Sequence, residues 1–256
     1  VEDTANIPAD YTGAVITVKD ARAALNQLAA RYYGNPAEKL FCIGVTGTNG
    51  KTTTTHMLES IFELAGKPAG VIGTIDHHLG KKVWKTELTT PGPLDFQERL
   101  KQFADLGAKA VALEVSSIGL VQSRVDEVPF DVAVFTNLSR DHLDYHKDME
   151  DYFQAKRKLF VDLLARSTKP APRAVINADD EYGRRLLKEL GDRAWGFGGK
   201  AAISFEVKGE GFDGIKFRLK TPHGESDLKI QMTGRHNIYN AMGAIGSALA
   251  AGIDLQ

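Results

Sequence analysis

The stretch Leu40 to Met57, LFCIGVTGTNGKTTTTHM, constrains this chain more than any other. An apolar run from Leu40 to Val45 gives way to Thr46-Gly47-Thr48-Asn49-Gly50-Lys51-Thr52, and a helical pattern then runs to Gly66. The order is strand, glycine loop, helix. Gly47 and Gly50 let the backbone curl with its N–H groups inward, and the following helix adds unpaired donors and the positive end of its dipole. Such a concavity suits a phosphate. Lys51 is placed to reach the outer phosphates of a nucleotide, and the Thr52 hydroxyl to hold Mg²⁺. Val45 stands where the eight-residue version of this loop has glycine, so the match is to the shorter G-x-x-G-K-T form. An ordinary glycine-rich turn is the competing reading, and the strand before and helix after weigh against it.

With 256 residues the chain has length for a sizeable core, as one large domain or two smaller ones. The 32 Lys and Arg residues balance 33 Asp and Glu, for a net charge of −1. That balance argues against a broad phosphate-backbone footprint, so nucleic acid is not an expected partner. Cys42 is the sole cysteine; it forms no internal disulfide and fits a reducing compartment. No apolar run approaches membrane-spanning length, and the first residues lack a signal pattern. The expected location is cytoplasmic.

From Leu40 onward the hydrophobic pattern alternates between two periods. Strands are predicted at 40–46, 70–75, 109–116, 130–136 and 173–177, and helices at 51–65, 94–106, 148–165 and 180–190, with Gly66 and Gly107 as helix stops. Runs such as Ala110-Val111-Ala112-Leu113 and Val132-Ala133-Val134-Phe135 are apolar throughout, which implies burial on both faces. The expected fold class is therefore α/β, a mostly parallel P-loop sheet flanked by helices. Alternating runs at 203–207, 214–219 and 228–232 predict a smaller antiparallel sheet near the C-terminus, followed by a helix over 236–251 with Ala and Gly on one face. Residues 1–18 read as a short strand with loops. Lys19 to Tyr33 reads as a helix with Ala23, Leu25, Leu28, Ala29 and Tyr32 on its apolar face. This first segment is too small for a domain and reads as a linker or the tail of one.

Ligands of parallel sheets bind beyond the carboxyl ends of the strands. After the third strand stands Glu114-Val115-Ser116-Ser117, where a buried carboxylate calls for a metal or a salt bridge. After the fourth come Arg140, Asp141, His142, Asp144 and His146, a chemistry suited to metal and phosphate that leaves open which histidine acts. Thr89-Thr90-Pro91 offers two hydroxyls to a substrate phosphate or sugar, although helix capping is the commoner reason for such a triplet. From spacing alone Lys156 is one more solvated lysine.

Together these residues resemble the Mur ligase family of peptidoglycan precursor synthetases, in particular its branch that adds the third residue of the stem peptide. The resemblance rests on Gly44 to Thr53, Thr89-Thr90-Pro91, Glu114 to Ser117 with Gly119 to Gln122 and Arg124, and Phe135 to His146. It continues through Ala155-Lys156, Asn177 to Asp180, and Gly234 to Asn237 with Asn240. It implies a central ATPase domain over residues 39–256, preceded at 1–38 by the tail of a uridine-nucleotide domain and a linker, with the C-terminal ligase domain absent. It further implies that Gly47, Thr48, Asn49, Gly50, Lys51, Thr52 and Thr53 hold the ATP phosphates, with Asn237 near the adenine. Thr52, Glu114 and His142 would serve Mg²⁺, with two sites possible. Lys156 would be carbamylated by CO₂ and join the metal ligands, making Lys51, Lys156 and His142 the catalytic set. Thr89, Thr90, Ser117, Gln122 and Arg124 would contact UDP-MurNAc-dipeptide.

The implied reaction is ATP-driven amide formation through an acyl phosphate, with meso-diaminopimelate or lysine as the incoming amino acid. Two positions depart from the family pattern: Ile118 stands where many relatives have His, and Leu88 where many have Asn. Both border the presumed substrate side. Two other readings compete: a folylpolyglutamate or cyanophycin type of ligase, and a standalone nucleotide or precursor-binding module without turnover.

Overall fold

The computed structural model describes residues 1–5 and 7–254. Its centre is an eight-stranded sheet. Six strands run parallel: β1 (Phe41–Thr46), β2 (Ala69–Ile72), β5 (Ala110–Glu114), β6 (Val132–Phe135), β7 (Arg173–Asn177) and β8 (Ala194–Phe197). A hairpin of β3 (His77–Leu79) and β4 (Lys82–Trp84) adds an antiparallel edge, giving the order β4-β3-β2-β5-β1-β6-β7-β8. β1 lies in the middle with β5 on one side and β6 on the other, so their carboxyl ends frame a crevice.

Alternation along each strand divides the core in two. Cys42, Val111, Leu113, Ala133, Phe135 and Ile176 face one cluster, while Ile43, Val45, Ala112, Val132, Val134 and Val175 face the other. Every one is buried, which is why these strands read as continuous apolar runs. The first cluster takes in side chains of α3 (Pro93–Asp105), α4 (Ser117–Val121), α5 (Met149–Lys158) and α6 (Glu181–Leu190). The second is filled by α2 (Lys51–Leu64) and α7 (His236–Ala250), joined by Ile215, Phe217 and Leu219 of the smaller sheet. That sheet is the expected antiparallel meander of β9 (Ser204–Gly211), β10 (Gly214–Thr221) and β11 (Gly224–Ile230). The small face of α7 packs closely: a Cβ on Gly246 would stand 2.7 Å from Val175 Cγ1. No helix among the described residues is long and apolar enough to cross a membrane.

The N-terminal segment differs from expectation. Among the described residues of 1–18 no strand forms. α1 (Ala21–Tyr32) is present, but it buries Asn26, Ala29 and Ala30, leaving Leu25, Leu28 and Tyr32 exposed. It packs beside α3, and the face buried is that of Asn26, Ala29 and Ala30. The helix predicted over 148–165 also divides: α5 ends at Lys158, and Leu159–Leu163 continues as one π-helical turn.

Candidate active site

The loop after β1 forms the phosphate cradle. Gly47 has φ +148° and Gly50 +87°, and neither position has room for a side chain. A Cβ on Gly47 would meet Thr136 Oγ1 at 1.9 Å, and one on Gly50 would meet Asn240 Oδ1 at 2.2 Å. Asn137 braces the loop: its carbonyl oxygen accepts from Thr48 N at 2.9 Å and its Oδ1 from Asn49 N at 3.1 Å. Gly50 caps α2 without a side-chain bond, and the N–H groups of Gly50, Lys51, Thr52 and Thr53 have no hydrogen-bond partner among the described residues. Four free donors at a helix N-terminus form a nest for anionic oxygens.

Two lysines close over this loop. Lys51 Nζ donates to the carbonyls of Gly47 at 3.0 Å and Thr48 at 2.9 Å. Lys156, on α5, is 1% exposed, and its Nζ donates to the same Gly47 carbonyl at 3.0 Å while lying 4.6 Å from the Tyr152 ring centroid. The solvated-lysine reading is thereby overturned, because α5 turns this residue inward. Burial drives the Lys156 pKa well below the ordinary lysine value, the Lys51 charge pushes it further, and Asp141 opposes both. Lys51 is lowered as well, by burial, against the opposing charges of Glu114 and Asp141.

Glu114 ends β5 and is buried. Its Oε1 accepts from Thr74 N and its Oε2 from Thr74 Oγ1, both at 3.0 Å, and neither oxygen is in an ion pair among the described residues. A Cβ on Gly73 would strike Oε1 at 2.3 Å, so the carboxylate rests directly on the backbone there. A buried carboxylate without a cationic partner among the described residues, and a threonine hydroxyl in the first turn of α2, are hard-oxygen donors of the kind Mg²⁺ takes. His142 sits at φ +52° with its ring T-shaped to that of Tyr152, and its Nε2 lies 3.7 Å from Asp141 Oδ2.

One cavity of about 320 Å³ gathers Thr48, Lys51, Lys156 and His142 with Thr89, Thr90, Ser117 and Arg124. The phosphate end of the site thus opens onto the side expected to hold the acceptor. On the other side of the loop, a cavity of about 620 Å³ is lined by Asn49, Gly50, Asn177, His236, Tyr239 and Asn240.

Residues 45–248 match the family model described as the Mur ligase middle domain. The chain belongs to the Mur ligase family. The UDP-N-acetylmuramoyl-L-alanyl-D-glutamate--2,6-diaminopimelate ligase of Geobacter metallireducens is 43% identical over 256 residues, which cover 99% of this chain and 50% of that one. A solved structure of a ligase of the same name superposes with a TM-score of 0.82 at 29% identity, over 94% of this chain and 50% of that one. A Mycobacterium tuberculosis folylpolyglutamate synthase, complexed with ADP and AMPPCP, gives a TM-score of 0.74 over 90% of this chain and 59% of that one. Its identity is 17%, a likeness of fold alone. The chain spans about half the length of the curated relatives it matches.

Within this Mur ligase domain the side expected to hold the acceptor is tied together by hydrogen bonds between loops. Thr90, 1% exposed, donates from Oγ1 to Glu114 O at 2.9 Å and accepts from Ser116 N at 3.0 Å, so its hydroxyl is occupied in tying the loop to the end of β5. Thr89 Oγ1 lies 3.0 Å from Thr74 Oγ1. Arg124 donates to Thr90 O at 2.6 Å and, through Nε and Nη2, to Gln122 Oε1. Gln122 therefore supports Arg124 and does not line the cavity. Ser117 Oγ lies 2.9 Å from Nε2 of buried His146, whose Nδ1 is 3.1 Å from Asp151 Oδ2. The histidine pair is thus divided, with His142 at the cavity and His146 behind Ser117.

Asn237 does not line the second cavity. Its Nδ2 donates to Thr233 O at 2.8 Å and its Oδ1 accepts from Asn240 Nδ2 at 3.1 Å, turning it into the base of α7. His236 and Tyr239 line that cavity instead, and Tyr239 donates to Asp179 Oδ2 at 2.8 Å. Asn177 to Asp180 and His236 were visible as parts of motifs, but a linear motif does not show which member faces the ligand.

Proposed function

We propose that this chain is the ATP-binding core of an amide ligase that adds the third amino acid to UDP-N-acetylmuramoyl-L-alanyl-D-glutamate in peptidoglycan precursor synthesis. The observation that carries this reading is the single cavity in which Lys51 and Lys156 meet Thr89, Ser117 and Arg124. An oxygen of the D-glutamyl carboxylate attacks the γ-phosphorus of ATP and ADP leaves. The amine of the incoming amino acid then attacks the acyl phosphate carbon, loses a proton and expels phosphate. The names of the relatives favour 2,6-diaminopimelate as that amino acid.

The loop amides and Lys51 bind and neutralise the phosphates, and positioning supplies most of the remaining catalysis. Thr89, Ser117 and Arg124 orient the acceptor. Thr52, Glu114 and His142 would hold Mg²⁺, which when bound offsets charge on the transferred phosphoryl group. Lys156 is assigned as a carbamate. Burial and then the Lys51 charge lower the pKa of this amine, and in its neutral form it adds to CO₂ with formation of an N–C bond and release of a proton, so that an amine is replaced by an anionic oxygen donor that would serve a second Mg²⁺. Residues 39–256 act as the central domain and 1–38 as the tail of a uridine-nucleotide domain and linker. Exposed Leu25, Leu28 and Tyr32 on α1 offer an apolar face to a neighbouring domain. Cys42, free and buried, accords with a cytoplasmic location.

The test is ADP release by the full-length protein that carries this chain. Release that requires both the UDP-linked dipeptide and 2,6-diaminopimelate, and that disappears with Lys51→Ala, is the expected result. Nucleotide binding with no release under any amino acid would leave a binding module in its place.

A further inference from the structure

Away from both cavities, α2 and the edge hairpin bring His56, Glu59 and His78 together. His56 and Glu59 stand one turn apart on α2, and His78 reaches them from β3. His56 Nδ1 is 3.6 Å and His78 Nε2 3.0 Å from the same oxygen, Glu59 Oε2. The two rings stack with centroids 5.2 Å apart. One donor atom from each of the three residues lies within 4.8 Å of the others. The opposite nitrogen of His78, Nδ1, is 2.6 Å from Asp76 Oδ1.

This geometry poses a problem that a neutral imidazole does not solve. Such a ring has one N–H, and Asp76 takes it at Nδ1. Nε2 would then turn a lone pair toward a carboxylate, an arrangement that needs a proton or a cation between them. A carboxylate on the far nitrogen of a histidine is also what orients metal-bound imidazoles and raises their basicity. Side-chain exposures of 10% for His78, 17% for Glu59 and 41% for His56 leave the cluster largely shielded and reachable from solvent at His56.

We propose that His56, Glu59 and His78 form a binding site for a divalent transition-metal ion of the zinc class, with Asp76 orienting His78 and water completing the coordination. Two imidazoles and one carboxylate are the donors that zinc accepts, and hard cations such as Mg²⁺ prefer an all-oxygen set. The ion fastens the helix whose first turn is the phosphate cradle to the hairpin from which the chain runs to Thr89 and Thr90. Its role is to position these elements. Nothing in the phosphoryl transfer passes through it.

The experiment is calorimetric titration of chelator-stripped protein with Zn²⁺, in excess Mg²⁺ so that oxygen sites are filled. One Zn²⁺ per chain is expected above the binding of His56→Gln and Glu59→Gln, and Asp76→Asn is expected to weaken affinity by about 10–100-fold, as for loss of an orienting carboxylate. Thermal unfolding should shift upward by roughly 5 °C or more at about 100-fold excess over Kd, in wild type alone. Substituted Co²⁺ should give the visible absorption of a four-coordinate site that His56→Gln lacks. Because His56 is half-exposed, its variant retains the fold even if His78→Gln does not. Equal Zn²⁺ uptake and equal thermal shifts in wild type and His56→Gln would overturn the proposal, leaving a proton-bridged cluster.

Discussion

Lys51 and Lys156 converge on one acceptor: the Nζ of each lies 3.0 Å from the carbonyl oxygen of Gly47. Two ammonium groups sharing a buried oxygen repel each other, and the more buried one yields. Lys156, 1% exposed, is that one, and its lowered pKa favours the neutral amine, the form that adds to CO₂. In the full-length protein, Lys156→Ala should cost about 10²–10³-fold in phosphoryl transfer, the usual scale for a lost electrostatic group, and leave ADP affinity nearly unchanged. Labelled ¹³C-bicarbonate should give a carbamate carbon resonance that the variant lacks. Full activity without this lysine would remove the carbamate from the account.

The same burial predicts a pH dependence. The folded pKa of Lys156 lies well below its ordinary value of 10.5, so between the two the unfolded chain binds more protons. Stability contributed by this group therefore rises with pH across that window and is lost as pH falls through the depressed value. Under CO₂-free conditions, denaturant unfolding of Lys156→Met should show a shallower rise of stability with pH than wild type. Parallel curves would mean that the lysine is charged in the folded protein.

Gly50→Ala tests the cradle. The new Cβ meets Asn240 Oδ1 at 2.2 Å on a backbone with φ +87°, so a cost of about 1–3 kcal/mol in stability is expected. Lys51→Ala keeps the backbone and removes the charge. Both should weaken nucleotide binding by at least about tenfold, since each removes on the order of 1.4 kcal/mol or more from the phosphate contacts. Calorimetry with ATP and Mg²⁺ separates the two causes, because only Gly50→Ala should also lower the unfolding midpoint.

Ser117 and His146 offer a test of the acceptor side. His146→Ala frees Ser117 Oγ from its 2.9 Å partner and should raise KM for the UDP-linked dipeptide with little change in KM for ATP. His146→Gln, able to restore one hydrogen bond, should recover part of that loss. Equal effects on both substrates would assign His146 to the general fold.

Much of this is legible in the sequence. Strands buried on both faces have unbroken apolar runs, so β1, β5, β6 and β7 could be placed, and the glycine loop between β1 and α2 located the phosphate cradle. The edge hairpin was missed because His77-His78-Leu79 and Lys82-Val83-Trp84 are short and carry no clean alternation. β8, Ala194-Trp195-Gly196-Phe197, was missed for the same reason. The buried face of α1 is not legible in its apolar pattern, because it is formed by Asn26, Ala29 and Ala30 while the larger Leu25, Leu28 and Tyr32 are exposed. Long-range hydrogen bonds decided the rest. His146 and Ser117 are 29 residues apart, and no local pattern links them. Glu114 needed Thr74, a residue without a motif of its own.

The central claim is a carboxylate phosphorylated at the cavity shared by Lys51 and Ser117. It is tested most directly by isotope transfer in the full-length protein, with ¹⁸O in the carboxylates of the D-glutamyl residue of the UDP-linked dipeptide. If one of these carboxylates attacks the γ-phosphorus, one labelled oxygen leaves with inorganic phosphate at each turnover, and mass spectrometry of the phosphate will show it. Amide product accompanied by unlabelled phosphate would contradict the account.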